Sequence, residues 1–284
     1  MVTKLLVGAL ALYAVLVAAM YFGQRHFVYP SDPQRISPAA VGLPMVMERP
    51  LRTPDGETLI TWWHAPPQPT SPTILYFPGN GGTPADRAPR IRAFIDAGYG
   101  LLMLSYRSYG GSTGTPSEAA LKQDALLAYT SVLNMGATPQ SLFIYGESIG
   151  TGVATYLASK VETAGLILDA PFTALWRVAA REYPFLPVQW LSTERYDSID
   201  LIAGIDAPLL VLHGARDPLI PPAMGKALHA AAQAPKQLKI FENGHHSDLF
   251  DHGAMTYAQA FITAHHKVPA RQEKRPPAAL DQAR

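Results

Sequence analysis

Residues 142–150 read Leu-Phe-Ile-Tyr-Gly-Glu-Ser-Ile-Gly, an apolar run that turns abruptly at a serine spaced between two glycines. Leu142–Tyr145 is short and bounded by turn residues, as a buried strand would be, and a helix-length segment, Ser148–Lys160, follows. Strand, Gly-x-Ser-x-Gly and helix, in that order, describe a nucleophile elbow. A sharp strand-to-helix turn leaves no room for side chains two residues either side of the serine, hence Gly146 and Gly150. Ser148 would then stand exposed at the end of a sheet, with Ile149 opening the helix and its N–H free to meet a developing oxyanion. A glycine-flanked serine that only caps a helix gives the same five letters, so the rest of the chain has to decide.

A serine hydroxyl needs an adjacent base, and the base an orienting acid. Downstream of the elbow, Leu209–Leu212 reads as a strand and runs into His213-Gly214-Ala215-Arg216-Asp217-Pro218. Leu238–Phe241 reads as the next and runs into Gly244-His245-His246-Ser247-Asp248. The order nucleophile, acid, histidine is one of the known triad orders, and each member here falls just past a strand. Asp217 is the expected acid, with Asp169 as the competing one after the strand Gly165–Leu168. Residue spacing alone leaves the base open between His245 and His246.

Upstream, the strand Thr73–Phe77 leads into Pro78-Gly79-Asn80-Gly81-Gly82. Oxyanion stabilisation takes two converging N–H donors, and a glycine-rich turn lets the backbone approach closely. Asn80 and Ile149 are the expected pair. A phosphate loop is disfavoured because no Gly-Lys-Ser/Thr ending follows.

Strand-like runs alternate with helix-length segments along this region. Gly100–Leu104 adds a further strand, and Pro84–Ala97, Ser117–Met135, Pro222–Gln233 and Ala254–His265 add helices. Such alternation predicts one doubly wound, mostly parallel sheet. Val46–Arg52 and Glu57–His64 flank Pro54-Asp55-Gly56 and predict an antiparallel hairpin at its N-terminal edge.

The N-terminus is different in kind. Leu5 to Phe22 is an unbroken apolar run of about 18 residues, the minimum for a membrane-spanning helix. No polar face interrupts it, and Tyr21, Phe22 and Phe27 suit an interfacial belt. Residues 1–25 are therefore expected to form a retained, single-pass anchor, with a cleaved signal peptide as the alternative. Lys4 and Arg25 balance across the run and leave its orientation open; the exported side is the expectation for the catalytic region. Residues 26–44 hold four prolines and read as a linker, and 267–284 as a charged, disordered tail. The domain proper is then 45–266.

Bulk properties narrow the chemistry. A net charge of +1 offers no basic surface for nucleic acid. Without cysteine there is no disulfide, thiolate nucleophile or thiolate metal site. His245, His246, Asp248, Asp251 and His252 cluster in sequence, but one histidine is committed to Ser148, so neither metal nor cofactor is expected.

With these residues assembled, the chain resembles the α/β-hydrolase superfamily from Met45 to His265, and more closely the membrane-tethered serine hydrolases of the bud-emergence type. The stretches that carry the likeness are YFGQRHFVYP after the anchor, FPGNGG, SYRSYGGSTG, IYGESIG, PLLVLHGARDPLIP and NGHHSDLF. The resemblance implies that the base precedes a small polar residue and an aspartate, which selects His246. It also implies that 171–204, with Phe172, Trp176, Tyr183, Phe185 and Trp190, forms a short cap. Phe77-Pro78 stands where relatives carry histidine-glycine, and Ser105 where they often carry aspartate. The implied activity is hydrolysis of a small-molecule or lipid acyl ester or thioester; a membrane-tethered scaffold without turnover is the competing reading.

Overall fold

The computed structural model describes residues 1–267, so the expected disordered tail lies, from residue 268 on, outside the described residues. Eight strands form one sheet in the order β1-β2-β4-β3-β5-β6-β7-β8. Strands β1 (Met47–Arg52) and β2 (Thr58–His64) are the antiparallel hairpin, and its turn ends on Gly56 at φ 92°, a conformation glycine adopts without strain. Strand β4 (Gly100–Leu104) pairs antiparallel with β2. Every other pairing, among β3 (Thr73–Phe77), β4, β5 (Leu142–Glu147), β6 (Gly165–Asp169), β7 (Leu209–Gly214) and β8 (Lys236–Phe241), is parallel.

The parallel strands lack polar alternation because both faces are covered. Leu75, Phe77, Leu142 and Ile144 face a core shared with α3 (Glu118–Asn134), α4 (Ile149–Ala158) and α8 (Pro222–Ala231). Their neighbours Ile74, Tyr76, Phe143 and Tyr145 face a second core built with α2 (Ala88–Asp96) and α9 (Ala254–His265). Period-2 geometry thus sends successive apolar side chains to opposite cores. Truncating Phe143, wholly buried, would cost about 3–5 kcal/mol.

Several strands run longer than their apolar letters suggest. β5 takes in Gly146-Glu147 and β6 takes in Asp169, because those buried carboxylates have partners: Glu147 pairs with Arg87 and Arg90, and Asp169 with Tyr145 and Arg90. The order reverses around β3, which has β4 on one side and β5 on the other. The C-terminal ends of β3 and β5 therefore flank the crevice where doubly wound sheets hold their ligands.

Between β6 and β7 the chain leaves the sheet and forms α5 (Leu175–Glu182), α6 (Val188–Leu191) and α7 (Ser198–Leu201). At the N-terminus a helix, α1, runs Val2–Val28, three residues past the expected boundary at Arg25, and is long and apolar enough to cross a membrane. The segment after it is not a free linker. Tyr29 is buried in the first core, Leu43 and Val46 in the second, and Pro38–Val41 forms a 3₁₀ turn. Apolar residues among the prolines fasten this segment to the domain.

Candidate active site

Ser148 sits at the junction of β5 and α4 with φ 51°, a left-handed backbone rare for a residue with a side chain. Its N–H donates to the Asp169 carbonyl at 2.9 Å, which helps to hold the turn. The flanking glycines are obligatory. A Cβ on Gly146 would lie 2.7 Å from the Thr151 Cα, and one on Gly150 would collide with the Phe77 and Pro78 backbone.

The loops after β7 and β8 bring two side chains to this serine. His246 Nε2 lies 2.9 Å from Ser148 Oγ, and His246 Nδ1 lies 2.7 Å from Asp217 Oδ2. With Nδ1–H donating to the carboxylate, Nε2 is left as the acceptor for the serine hydroxyl. The second Asp217 oxygen accepts the N–H groups of Leu219 and Ile220, both at 2.9 Å, so the carboxylate cannot rotate away. Burial pushes the Asp217 carboxyl up, but hydrogen bonds with His213, His246 and the Ile220 N–H outweigh it and hold the group well below the usual carboxylate range.

His245 points elsewhere. Its backbone N–H and its Nδ1 both engage Asp248, at 2.6 and 3.1 Å, and its side chain is 54% exposed. Asp169 does not orient a histidine. Its Oδ2 accepts the Tyr145 hydroxyl at 2.6 Å and faces Arg90 at 3.3 Å. Burial raises the Asp169 carboxyl, and the Arg90 charge only partly offsets this. Among the described residues no group of three or more histidine, aspartate or glutamate side chains converges to hold a metal.

The glycine-rich turn after β3 lies against the serine: a Cβ on Gly79 would be 3.4 Å from Ser148 Cβ. Asn80, Arg87, Ser148, Leu219 and His246 line one cleft of about 470 Å³. The backbone N–H groups of Asn80 and Ile149 have no acceptor among the described residues. The Asn80 side chain is occupied differently, donating to the Val28 carbonyl at the end of α1 at 2.7 Å. Tyr106, from the loop after β4, donates to the Pro78 carbonyl at 2.8 Å and braces the same turn. Its neighbour Arg107 pairs with Asp124 at 2.9 Å and with Asp55, and Ser105 donates to the Tyr109 carbonyl, so the SYRSYGG loop is architectural.

Two further groups escape sequence reasoning. His213, wholly buried at the end of β7, has Nε2 2.8 Å from the Ile220 carbonyl and 3.5 Å from Asp217 Oδ2. A histidine ending an apolar strand was the available signal, since buried imidazole must find partners. Glu147, the middle residue of Gly-Glu-Ser, is buried beneath the nucleophile; burial opposes its charge, but Arg90 and Arg87 hold its carboxyl below the ordinary range.

Comparisons with known proteins bear on the family and the fold. Residues 104–256 match the family model described as an alpha/beta hydrolase domain. The chain is 32% identical over 256 residues to protein bem46 of Schizosaccharomyces pombe, covering 85% of this chain and 86% of that one. It is 33% identical over 224 residues to lysophosphatidylserine lipase ABHD12 of Danio rerio, covering 72% of this chain and 56% of that one. An esterase of Pyrococcus furiosus shares the fold, with TM-score 0.68 at 18% identity over 84% of this chain and 99% of that one.

Proposed function

The chain belongs to the α/β-hydrolase superfamily, among relatives of the bud-emergence type, and from that membership we propose that it is a serine hydrolase cleaving carboxylic ester or thioester bonds. The observation that carries the reading is the unbroken line of hydrogen-bonding atoms from Asp217 through His246 to a serine held at positive φ.

In this reading Ser148 Oγ attacks the acyl carbonyl as His246 Nε2 takes its proton. Asp217 stabilises the imidazolium and stays ionised itself. The N–H groups of Asn80 and Ile149 receive the oxyanion, and removing one such donor elsewhere costs roughly 10²–10³ in rate. His246 then protonates the leaving alcohol or thiol. The resulting acyl-enzyme is cleared when His246 activates water for attack on the Ser148 ester.

A lipid acyl ester is the favoured substrate class. Helix α1 would hold the domain at a membrane as a single-pass anchor, and an apolar crevice of about 90 Å³ lies between α1 and the cap. The relative from Danio rerio is named for hydrolysis of a lysophospholipid, in line with such a substrate.

A series of p-nitrophenyl esters of increasing acyl length, assayed with the wild type and Ser148→Ala, tests this. Turnover by wild type alone, rising from acetyl to longer chains, is expected. A folded wild type that turns over none of them contradicts the proposal.

A further inference from the structure

The anchor helix does not simply leave the domain; it lies along the cap. Its residues other than Val17, Met20, Gly23, Gln24 and Val28 are exposed, and those five fall on one face. Tyr13 extends the same face, its hydroxyl donating to the Phe185 carbonyl at 2.8 Å. Gln24 donates to the Leu191 carbonyl at 3.2 Å and accepts the Thr193 N–H at 2.8 Å. Below these contacts Arg25 and Tyr29 both donate to Glu194, at 2.8 and 2.7 Å, which locks anchor and cap together.

Helix geometry turns these contacts into a depth. The run Leu5–Phe22 spans about 27 Å at ~1.5 Å per residue, close to the ~30 Å of a bilayer's hydrocarbon core. Tyr13 lies nine residues inside Phe22, about 14 Å along the axis. A cap segment bonded to Tyr13 therefore accompanies the anchor about one leaflet deep.

The segment has the composition for that setting. Residues 183–191, Tyr-Pro-Phe-Leu-Pro-Val-Gln-Trp-Leu, contain no charge, while Arg181 and Glu182 precede them and Glu194 and Arg195 follow. Phe185 is 57% exposed and Trp190 82%, which would be costly to leave in water as a pair. Hydrocarbon also demands satisfied backbone groups. Pro184 and Pro187 have no N–H to satisfy. The N–H groups of Leu186, Val188 and Trp190 are bonded within the segment at 2.8–3.0 Å, the Phe185 and Leu191 carbonyls accept from the anchor, and the Gln189 carbonyl accepts from Arg195 at 3.0 Å, while the N–H groups of Phe185 and Gln189 have no partner among the described residues.

The geometry points to a membrane-embedded cap: residues 183–191 are immersed beside α1 in the leaflet facing the domain. This rests on α1 being a membrane span and is independent of the hydrolytic reading. Val28 borders the crevice between α1 and the cap, and its carbonyl accepts from Asn80, which lines the cleft that holds Ser148.

The chain has no cysteine, so a single introduced one takes a nitroxide label cleanly. The full chain is reconstituted in phosphatidylcholine vesicles with the label at Phe185→Cys, Trp190→Cys, Leu10→Cys in the anchor, or Gln140→Cys in the exposed loop before β5, at the opposite end of that strand from Ser148. Power saturation then compares collisions with oxygen and with a water-soluble nickel chelate. The 185 and 190 labels are expected to match 10, reached by oxygen and lost to nickel, with 140 the reverse. If 10 is in lipid but either cap label meets nickel like 140, the embedded cap is overturned and the anchor stands. Cap labels shielded from both reagents indicate a protein partner and also overturn it. If 10 meets nickel as well, the span and the embedded cap fall together, whatever the esterase assays give.

Discussion

The Asn80 side-chain amide donates to the Val28 carbonyl at 2.7 Å, so the turn beside Ser148 is fastened to the last residue of the N-terminal helix α1. Val28 has one of the terminal carbonyls that a helix leaves unpaired, and the amide caps it. In Asn80→Ala the backbone N–H survives but loses this tether. A small displacement of a positioning group can cost up to ~100-fold, so kcat on p-nitrophenyl acetate should fall about 10- to 100-fold with KM little changed. A change confined to KM would place Asn80 in substrate binding instead.

The two adjacent histidines should separate cleanly. His246→Ala removes the group 2.9 Å from Ser148 Oγ, and kcat should drop on the order of 10⁴-fold or more. His245→Ala loses contacts to Asp248 on a half-exposed loop, and its kcat should stay within about threefold, since exposed pairs contribute little. Steady-state kinetics of both variants on one ester decides it; a dead His245→Ala would reverse the assignment.

The ease of reading the fold and the difficulty of choosing the base have physical causes. Apolar runs such as Thr73–Phe77 and Gly100–Leu104 match their strands end to end, because burial on both faces writes itself as unbroken hydrophobic letters. The ends of β5 and β6 were not legible, since Glu147 and Asp169 look like turn residues until Arg87 and Arg90 arrive from a distant segment. Ser148 and Asp217 were readable from their position after strands. His246 over His245 depends on the Asp248 carboxylate holding His245 outward, and only the family likeness anticipated it. The contacts between the N-terminal segment and the chain between β6 and β7 join residues about 165 positions apart, such as Tyr29 and Glu194, and no local pattern encodes them.

Asp217 gives a pH-dependent prediction whose sign follows from linkage. Its folded pKa lies below the unfolded value of about 3.9, so its contribution to stability is present above that value and is lost as pH falls through the lower folded value. The urea midpoint of wild type should exceed that of Asp217→Asn near neutral pH, and the gap should close below about pH 4. A gap that persists in acid would mean the carboxylate's charge is not what stabilises the loop. The same variant should lose kcat on the order of 10⁴-fold, because an amide holds His246 in the wrong tautomer.

Glu147 should matter for stability. It faces Arg87 and Arg90, both at 3.2 Å, and accepts the Tyr76 hydroxyl at 2.8 Å. Glu147→Ala would leave two largely buried guanidinium groups short of a partner, a loss of about 3–5 kcal/mol by analogy with other broken buried pairs. Urea denaturation monitored by circular dichroism measures it. A loss under about 1 kcal/mol would show that Asp169 or water takes over the charges.

Whether Ser148 is an activated nucleophile is read out by a fluorophosphonate reaction followed by peptide mass spectrometry. The predicted result is one adduct, on Ser148 of the 142–150 segment, absent from Ser148→Ala and strongly slowed in His246→Ala. Folded wild-type protein that stays unmodified, or that carries the adduct on another serine, would show that Ser148 is not the activated nucleophile.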